Sequence, residues 1–307
     1  MKFQGLLLAT IILVSIFITS PHSHLLTQRR KTNSQFLVET VKSQETAAVL
    51  EITSVPLTLF KQKGEGPKIS AQVFLKRLLN TNINLAEQKT KYIWPVASLT
   101  KLMTALVAIE KIDLNTEIKL SEKVVEVEAE GIIRNFKADE IYKASDLLKA
   151  MLVVSSNGAA EALAESYGEQ NFISAMNQKA AELGMNDTKY FDSTGLNSQN
   201  QSTANDLAKL VNYIYFNFNH PEILNITQQK TISITELNSG QTKSFNSMNE
   251  FAGQPNFLGG KTGFIDESKG NLISLFQDPD GRGPILIIVL GSEDRFGDTR
   301  KLLEISN

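Results

Sequence analysis

The sequence contains no cysteine, which excludes disulfides, a thiolate nucleophile and any Cys-ligated zinc site. Histidine is almost as scarce. Of the three in 307 residues, His22 and His24 fall near the start, leaving His220 alone in the body of the chain. A metal site built from several histidines is therefore ruled out, and a Ser-His-Asp triad would depend on one residue that, followed by Pro221, reads as part of a loop. An excess of either charge is missing too: 31 basic against 33 acidic residues leave a net charge of -2. No electrostatic footprint for nucleic acid follows from that balance.

What is present is 42% hydrophobic content, enough to bury one large core or two unequal lobes. The opening "MKFQGLLLATIILVSIFITS" carries one lysine and then an apolar run from Gly5 to about Thr19, so residues 1–20 read as an export signal peptide or an N-terminal membrane anchor. The run is short for a membrane span, yet no A-x-A-like cleavage site follows, and both forms stay open. Arg29, Arg30 and Lys31 weigh against easy export, but a cytoplasmic protein has no use for such an opening. An exported protein is expected. Residues 21–46 are polar, mixed in charge and without period, as in a tether. The folded domain is expected to start near Ala47 and to span 47–307.

Within that domain "ISAQVFLKRLL" and "INLAEQ" read as strands, followed by a helix from about Leu99 to Ile109 announced by Pro95. "SDLLKAMLVV", "AAEALAESYG", "NFISAMNQKAAELGM" and "TANDLAKLVNYIYFN" have apolar residues at helical spacing. Strands return in "FLGGKTGFI", "NLISLFQ" and "GPILIIVLG", the last two joined by the turn "DPDGRG", and a helix from about Arg295 closes the chain. Strands at both ends with helices between them predict an α+β sheet domain carrying an inserted helical lobe.

The helix in "YIWPVASLTKLMTALVAIEK" is apolar on nearly every side yet contains Lys101, and an unpaired buried ammonium is costly. Ser98 lies three residues earlier, on the same helical face. A serine near a helix start, with free N–H groups and a neighbouring amine, has what an activated nucleophile needs. The bland reading of Ser98 is a helix cap. Ser155, Ser156, Asn157 and Gly158 interrupt two helical patterns and would ordinarily be a turn. In the strand "FLGGKTGFI", Lys261, Thr262 and Gly263 stand where a glycine lets a ligand or another backbone approach. A phosphate loop fails there because Pro255 occupies the position of its first glycine.

S-x-x-K, S-x-N and K-T-G, in that order, are the signature of serine acyltransferases that bind penicillin. Together with "SDLLKAMLVVSSNGAAEALAE", "MNQKAAELGMNDTKYFDSTGL" and "IIVLGSEDRFGDTRKLL", they make the chain resemble the D-alanyl-D-alanine carboxypeptidases among the low-molecular-mass penicillin-binding proteins. The resemblance implies the penicillin-binding transpeptidase/β-lactamase-like fold, an antiparallel sheet flanked by helices with an inserted helical lobe. It implies Ser98 as nucleophile, Lys101 as its base and Ser155 as proton relay to the leaving amine. Asn157 would hold the acyl chain's amide, Lys261 and Thr262 the terminal carboxylate, and the N–H groups of Ser98 and Phe264, with Gly263 between the motif and Phe264, the oxyanion. The burial of Lys101, with Lys261 nearby, would lower its pKa toward a neutral amine. Peptidoglycan stem peptides are the implied substrates, β-lactams the covalent inhibitors, and no cofactor is required. Gly158 and Asp139 depart from the family, which often has aspartate and glycine there. Family members often continue into a β-rich domain and a C-terminal anchor, so any membrane attachment here is expected through the N-terminal segment.

Other readings compete. A D,D-endopeptidase uses the same residues. A class A-like β-lactamase should carry a glutamate soon after S-x-N, whereas the nearest candidate, Glu222 in "PEILN", lies far downstream in what reads as a helix-to-strand connection. An inert cell-wall binding protein would not need the complete set of polar residues.

Overall fold

Strands from both ends of the described chain meet in one sheet. In a computed structural model, the described residues are 68–79, 81, 83–129, 136–216 and 222–305. The N-terminal apolar run, the tether, the expected domain start near Ala47 and His220 lie outside them. Strands β1 (Val73–Leu78) and β2 (Ile83–Gln88) are followed by a two-residue strand, β3 (Trp94–Pro95), a 3-10 turn at Ala97–Leu99 and helix α1 (Thr100–Lys111). Then come β4 (Glu117–Lys119), α2 (Glu122–Ala129), β5 (Ile141–Lys143), α3 (Ala144–Val153), α4 (Asn157–Tyr167) and α5 (Glu169–Glu182). After β6 (Gln201–Ser202), helices α6 (Ala204–Phe216) and α7 (Glu222–Thr227) lead to the hairpin of β7 (Thr231–Thr235) and β8 (Thr242–Asn246). Strands β9 (Phe257–Ile265), β10 (Lys269–Gln277) and β11 (Pro284–Ser292) and helix α8 (Arg295–Glu304) complete the order.

The main sheet runs β2-β1-β11-β10-β9, with every neighbouring pair antiparallel. Its central strands are buried on both faces, and the period-2 alternation of a strand divides them. Leu286, Ile288 and Leu290 of β11 join the core built with α1, α3, α4 and α6, while Ile285, Ile287 and Val289 pack with Leu302 of α8 and a cluster of phenylalanines. Edge strand β9 inherits this order. Lys261 pairs with Ile273, which belongs to the helical-lobe core, so its side chain faces the lobe.

Several local readings needed the third dimension. Pro95 does not start the helix; it sits in β3, paired with Gln201, and α1 begins at Thr100. Helix α2 was invisible as a helix because "EKVVEVEA" buries only Val124 and Glu128, too narrow a stripe for a 3.6-residue period to stand out. Glu222 opens helix α7 rather than lying in a connection. Asp139 has φ 69, a left-handed conformation that glycine adopts freely and aspartate tolerates better than most residues.

Candidate active site

The turn that carries Ser98 is held from both sides. Val96 N–H donates to the Asn200 carbonyl at 2.9 Å, and the Asn271 amide donates to the Pro95 carbonyl at 2.9 Å. Ala97 then takes φ 49, a strained choice for a non-glycine residue that costs about 1–3 kcal/mol and must be imposed by its surroundings. Gly195 is part of that imposition: at φ +85, its backbone lies so close that an added Cβ would come within 2.0 Å of the Ala97 oxygen. Ser98 therefore sits in a 3-10 turn one step ahead of α1, not in the helix itself, but the three-residue spacing to Lys101 is preserved.

Lys101 is 0% exposed and has three polar neighbours: Ser98 Oγ at 2.9 Å, Asn157 Oδ1 at 2.7 Å and the Thr194 carbonyl at 2.6 Å. Burial pushes its pKa down from the ordinary 10.5 to about 7, against the opposing pull of the Asp192 and Glu128 carboxylates. As a neutral amine it has two N–H bonds and a lone pair. Asn157 and Thr194 can only accept, so they take the two protons and leave the lone pair directed at the Ser98 hydroxyl. The charges of Lys101 and Lys261 oppose one another, and that repulsion adds to burial in lowering the pKa of Lys261.

Across the cleft, buried Lys261 donates to Ser155 Oγ at 2.8 Å and to the Thr262 carbonyl at 2.9 Å. Its pKa is held well below the usual lysine range by burial and then by the charges of Lys101 and Arg295. Arg295, at the start of α8, donates to the Gly263 carbonyl at 2.8 Å and secures this end of β9. A Cβ on Gly263 would be 3.2 Å from Ser98 N, which sets the strand backbone beside the nucleophile. Phe264 follows, with its ring 57% exposed.

All eight residues expected to form the site are gathered here. Ser98, Ser155, Asn157, Thr262, Gly263 and Phe264 line a cleft of about 450 Å³, with Lys101 and Lys261 immediately behind. The Asn157 oxygen is engaged by Lys101, so its NH2 end is the part left to donate. Four contributors escaped the sequence reading: Thr194, Asp192, Arg295 and Glu128. The D-S-T-G stretch signals a turn, but not that Asp192 organises it by accepting from the backbone N–H groups of Thr194, Gly195 and Asn197, thereby aiming the Thr194 carbonyl at Lys101. Glu128 lies against Gly158, the other departure from the family pattern. Glu222 is not among the residues lining the cleft.

A serine hydroxyl beside a buried, proton-poor amine, faced by a strand edge that carries a second buried lysine, defines a serine acyl-transfer site. Residues 61–293 match the family model described as D-alanyl-D-alanine carboxypeptidase. The chain is 32% identical over 235 residues to the D-alanyl-D-alanine endopeptidase of Pseudomonas aeruginosa, covering 73% of each. It is 30% identical over 236 residues to a D-alanyl-D-alanine carboxypeptidase of Mycobacterium tuberculosis, covering 76% of this chain and 79% of that one. Among solved structures, penicillin-binding protein D2 of Listeria monocytogenes in its ampicillin-bound form aligns with a TM-score of 0.66 at 28% identity, over 79% of this chain and 99% of that one. The chain belongs to the D-alanyl-D-alanine carboxypeptidase family of serine D,D-peptidases.

Proposed function

We propose that the protein is a serine D-alanyl-D-alanine carboxypeptidase that removes the terminal D-alanine of peptidoglycan stem peptides through an acyl-enzyme. The observation that carries this reading is the bonding of Lys101, whose two obligate acceptors leave a lone pair for Ser98. Lys101 takes the Ser98 proton as Oγ attacks the penultimate D-alanine carbonyl, and the N–H groups of Ser98 and Phe264 receive the oxyanion. Ser155, already bonded to Lys261, relays the proton taken up by Lys101 to the departing amine, which returns Lys101 to its neutral form. Water then attacks the ester, with Lys101 accepting a proton from it and handing that proton to Ser98 Oγ as the ester bond breaks. The substrate's carboxylate binds Lys261 and Thr262 and restores the positive charge that burial opposes on Lys261. That charge in turn favours the neutral, basic form of Lys101.

The same chemistry opens a β-lactam, giving a Ser98 adduct whose tethered amine blocks water. The substrate's position in the cell wall calls for export, which suits the N-terminal segment. Among the described residues no helix is long and apolar enough to cross a membrane. Incubating the full chain with a peptide ending in D-Ala-D-Ala should release free D-alanine, and Ser98→Ala should not. Absence of release by the unaltered protein would overturn the proposal.

One observation favours a second reading, cleavage of peptide cross-links. The cleft runs on past Phe264 to the turn of Glu293, Asp294 and Arg295, giving room for a leaving group larger than one D-alanine. The Pseudomonas relative is named as an endopeptidase. A cross-linked dimer offered beside the monomeric pentapeptide separates the two: faster loss of the dimer decides for endopeptidase.

A further inference from the structure

We propose that Glu128 is a positioning residue for the reaction, a carboxylate delivered from α2 that sets the Ser155–Asn157 turn at the start of α4. Glu128 is 1% exposed, at the end of a helix whose other residues, Val124 excepted, are at least partly exposed. Its Oε2 accepts from Ser156 Oγ at 2.7 Å and from Gly158 N–H at 2.5 Å. Ser156 Oγ in turn accepts from Ala159 N–H at 3.0 Å. One carboxylate oxygen thus satisfies, directly and through a serine, N–H groups that the first turn of a helix leaves without partners. The positive end of the α4 dipole favours its charge.

Gly158 is the complement of this carboxylate. A Cβ at 158 would come within 2.9 Å of both Glu128 Cβ and the Val124 carbonyl, so a side chain there would drive α2 and α4 apart. Helix α2 is fastened independently, because Lys123 pairs with Glu161 of α4 and, at 2.6 Å, with Glu169 of α5. Glu128 is not itself among the residues lining the cleft, and acts through Ser156, Gly158 and the backbone of Asn157. Ser155 holds φ 60, a strained conformation that relaxes unless its flanks are pinned. Asn157 must keep its oxygen 2.7 Å from Lys101. Both residues flank Ser156, which Glu128 anchors. The other carboxylate oxygen, Oε1, is buried with no hydrogen-bond partner among the described residues, so the anchoring runs through Oε2.

The carboxylate also touches the proton balance, since its charge is one of those opposing the lowered pKa of Lys101. Glutamine retains an oxygen able to accept from Ser156 and Gly158 but loses that charge, whereas alanine loses the anchor altogether. Two readouts on the full chain test the idea, the kinetic one resting on the acyl-transfer reading and the other not. In Glu128→Ala, acylation by benzylpenicillin, measured well below the melting temperature of the variant, should slow about tenfold or more, as loss of a charge-assisted hydrogen bond predicts. In Glu128→Gln most of the rate should return, with the acid limb of the pH–rate profile moved to lower pH. Hydrogen exchange of the Gly158 and Ala159 amides should quicken in the alanine variant and be restored in the glutamine one. Normal acylation by Glu128→Ala, or unchanged exchange at those amides, would overturn the proposal. If the unaltered protein is not acylated at all, the proposed function fails, and the exchange measurement still decides the role of Glu128.

Discussion

Lys76 on β1 and Lys101 on α1 are both completely withdrawn from water, and burial is the leading cause of a lowered pKa in both. Their partners differ. Lys76 donates to the carbonyls of Ile305 at 2.7 Å and Leu303 at 3.3 Å, at the C-terminal end of α8, where the helix dipole favours a cation. Lys101 meets two acceptors and one hydroxyl that opens onto a cleft. Burial makes a lysine costly in both places, but only where a partner can give up a proton does the cost become chemistry. Lys76 fastens a helix to the sheet; Lys101 is the base of the proposed mechanism.

The strongest test of that contrast exchanges the side chains. Lys101→Arg should lower benzylpenicillin acylation by about 10²–10⁴-fold, because a guanidinium stays protonated and cannot act as general base. Lys76→Met should leave acylation unchanged and instead destabilise the fold by about 1–3 kcal/mol, as two helix-end carbonyls lose their donor. A Lys76→Met variant with impaired chemistry and normal stability would break the comparison.

Proton linkage sharpens it. The rate should fall as pH drops through about 7, where Lys101 gains a proton, and Lys76→Met should not move that midpoint. Stability has a related dependence. Between about 7 and 10.5 the unfolded chain holds a proton on Lys101 that the folded chain does not, so this group makes stability rise with pH across that window. Replacing Lys101 with methionine should flatten the rise in a melting-temperature series.

A third lysine extends the series. Lys261→Ala should weaken turnover of a free-acid peptide by about 1.5–3 kcal/mol, the worth of a hydrogen bond to a charged group, with a smaller effect on the C-terminal amide of the same peptide. Equal losses for both substrates would remove Lys261 from carboxylate recognition. The smallest effect is expected at Trp94, whose indole N–H donates to the Ser268 carbonyl at 3.0 Å. Trp94→Phe should cost about 0.5–1.5 kcal/mol of stability and leave kcat/KM nearly unaltered.

The long elements were legible because their periods are strong. Strands β9, β10 and β11 read directly from apolar runs broken by turn residues, and α1 and α3 to α6 from apolar spacing. The short strands β3 and β6 carried no such signal, since two residues cannot display a period and their pairing is decided by a partner about a hundred positions away. The hairpin of β7 and β8 escaped for another reason. Its faces are rich in threonine and serine, joined by contacts such as Ser233 Oγ to Ser244 Oγ at 2.8 Å, and polar strands with one modest buried face look like loop.

For the site, the sequence alone determined the chemical inventory: a serine three residues before a lysine, a second serine two before an asparagine, and a lysine, threonine and glycine on a strand. Local geometry suffices for the first two groupings, because neighbours along a turn of backbone are neighbours in space. Only the tertiary structure decided which groups would surround Lys101. Asn157, the stretch from Asp192 to Thr194, and Glu128 come from separate segments, and nothing in the spacing of one segment says which atom of another will point at it. The pKa of an amine depends on that enclosure as a whole, on water excluded and acceptors supplied from every side. It is therefore a property of the packed fold rather than of any motif.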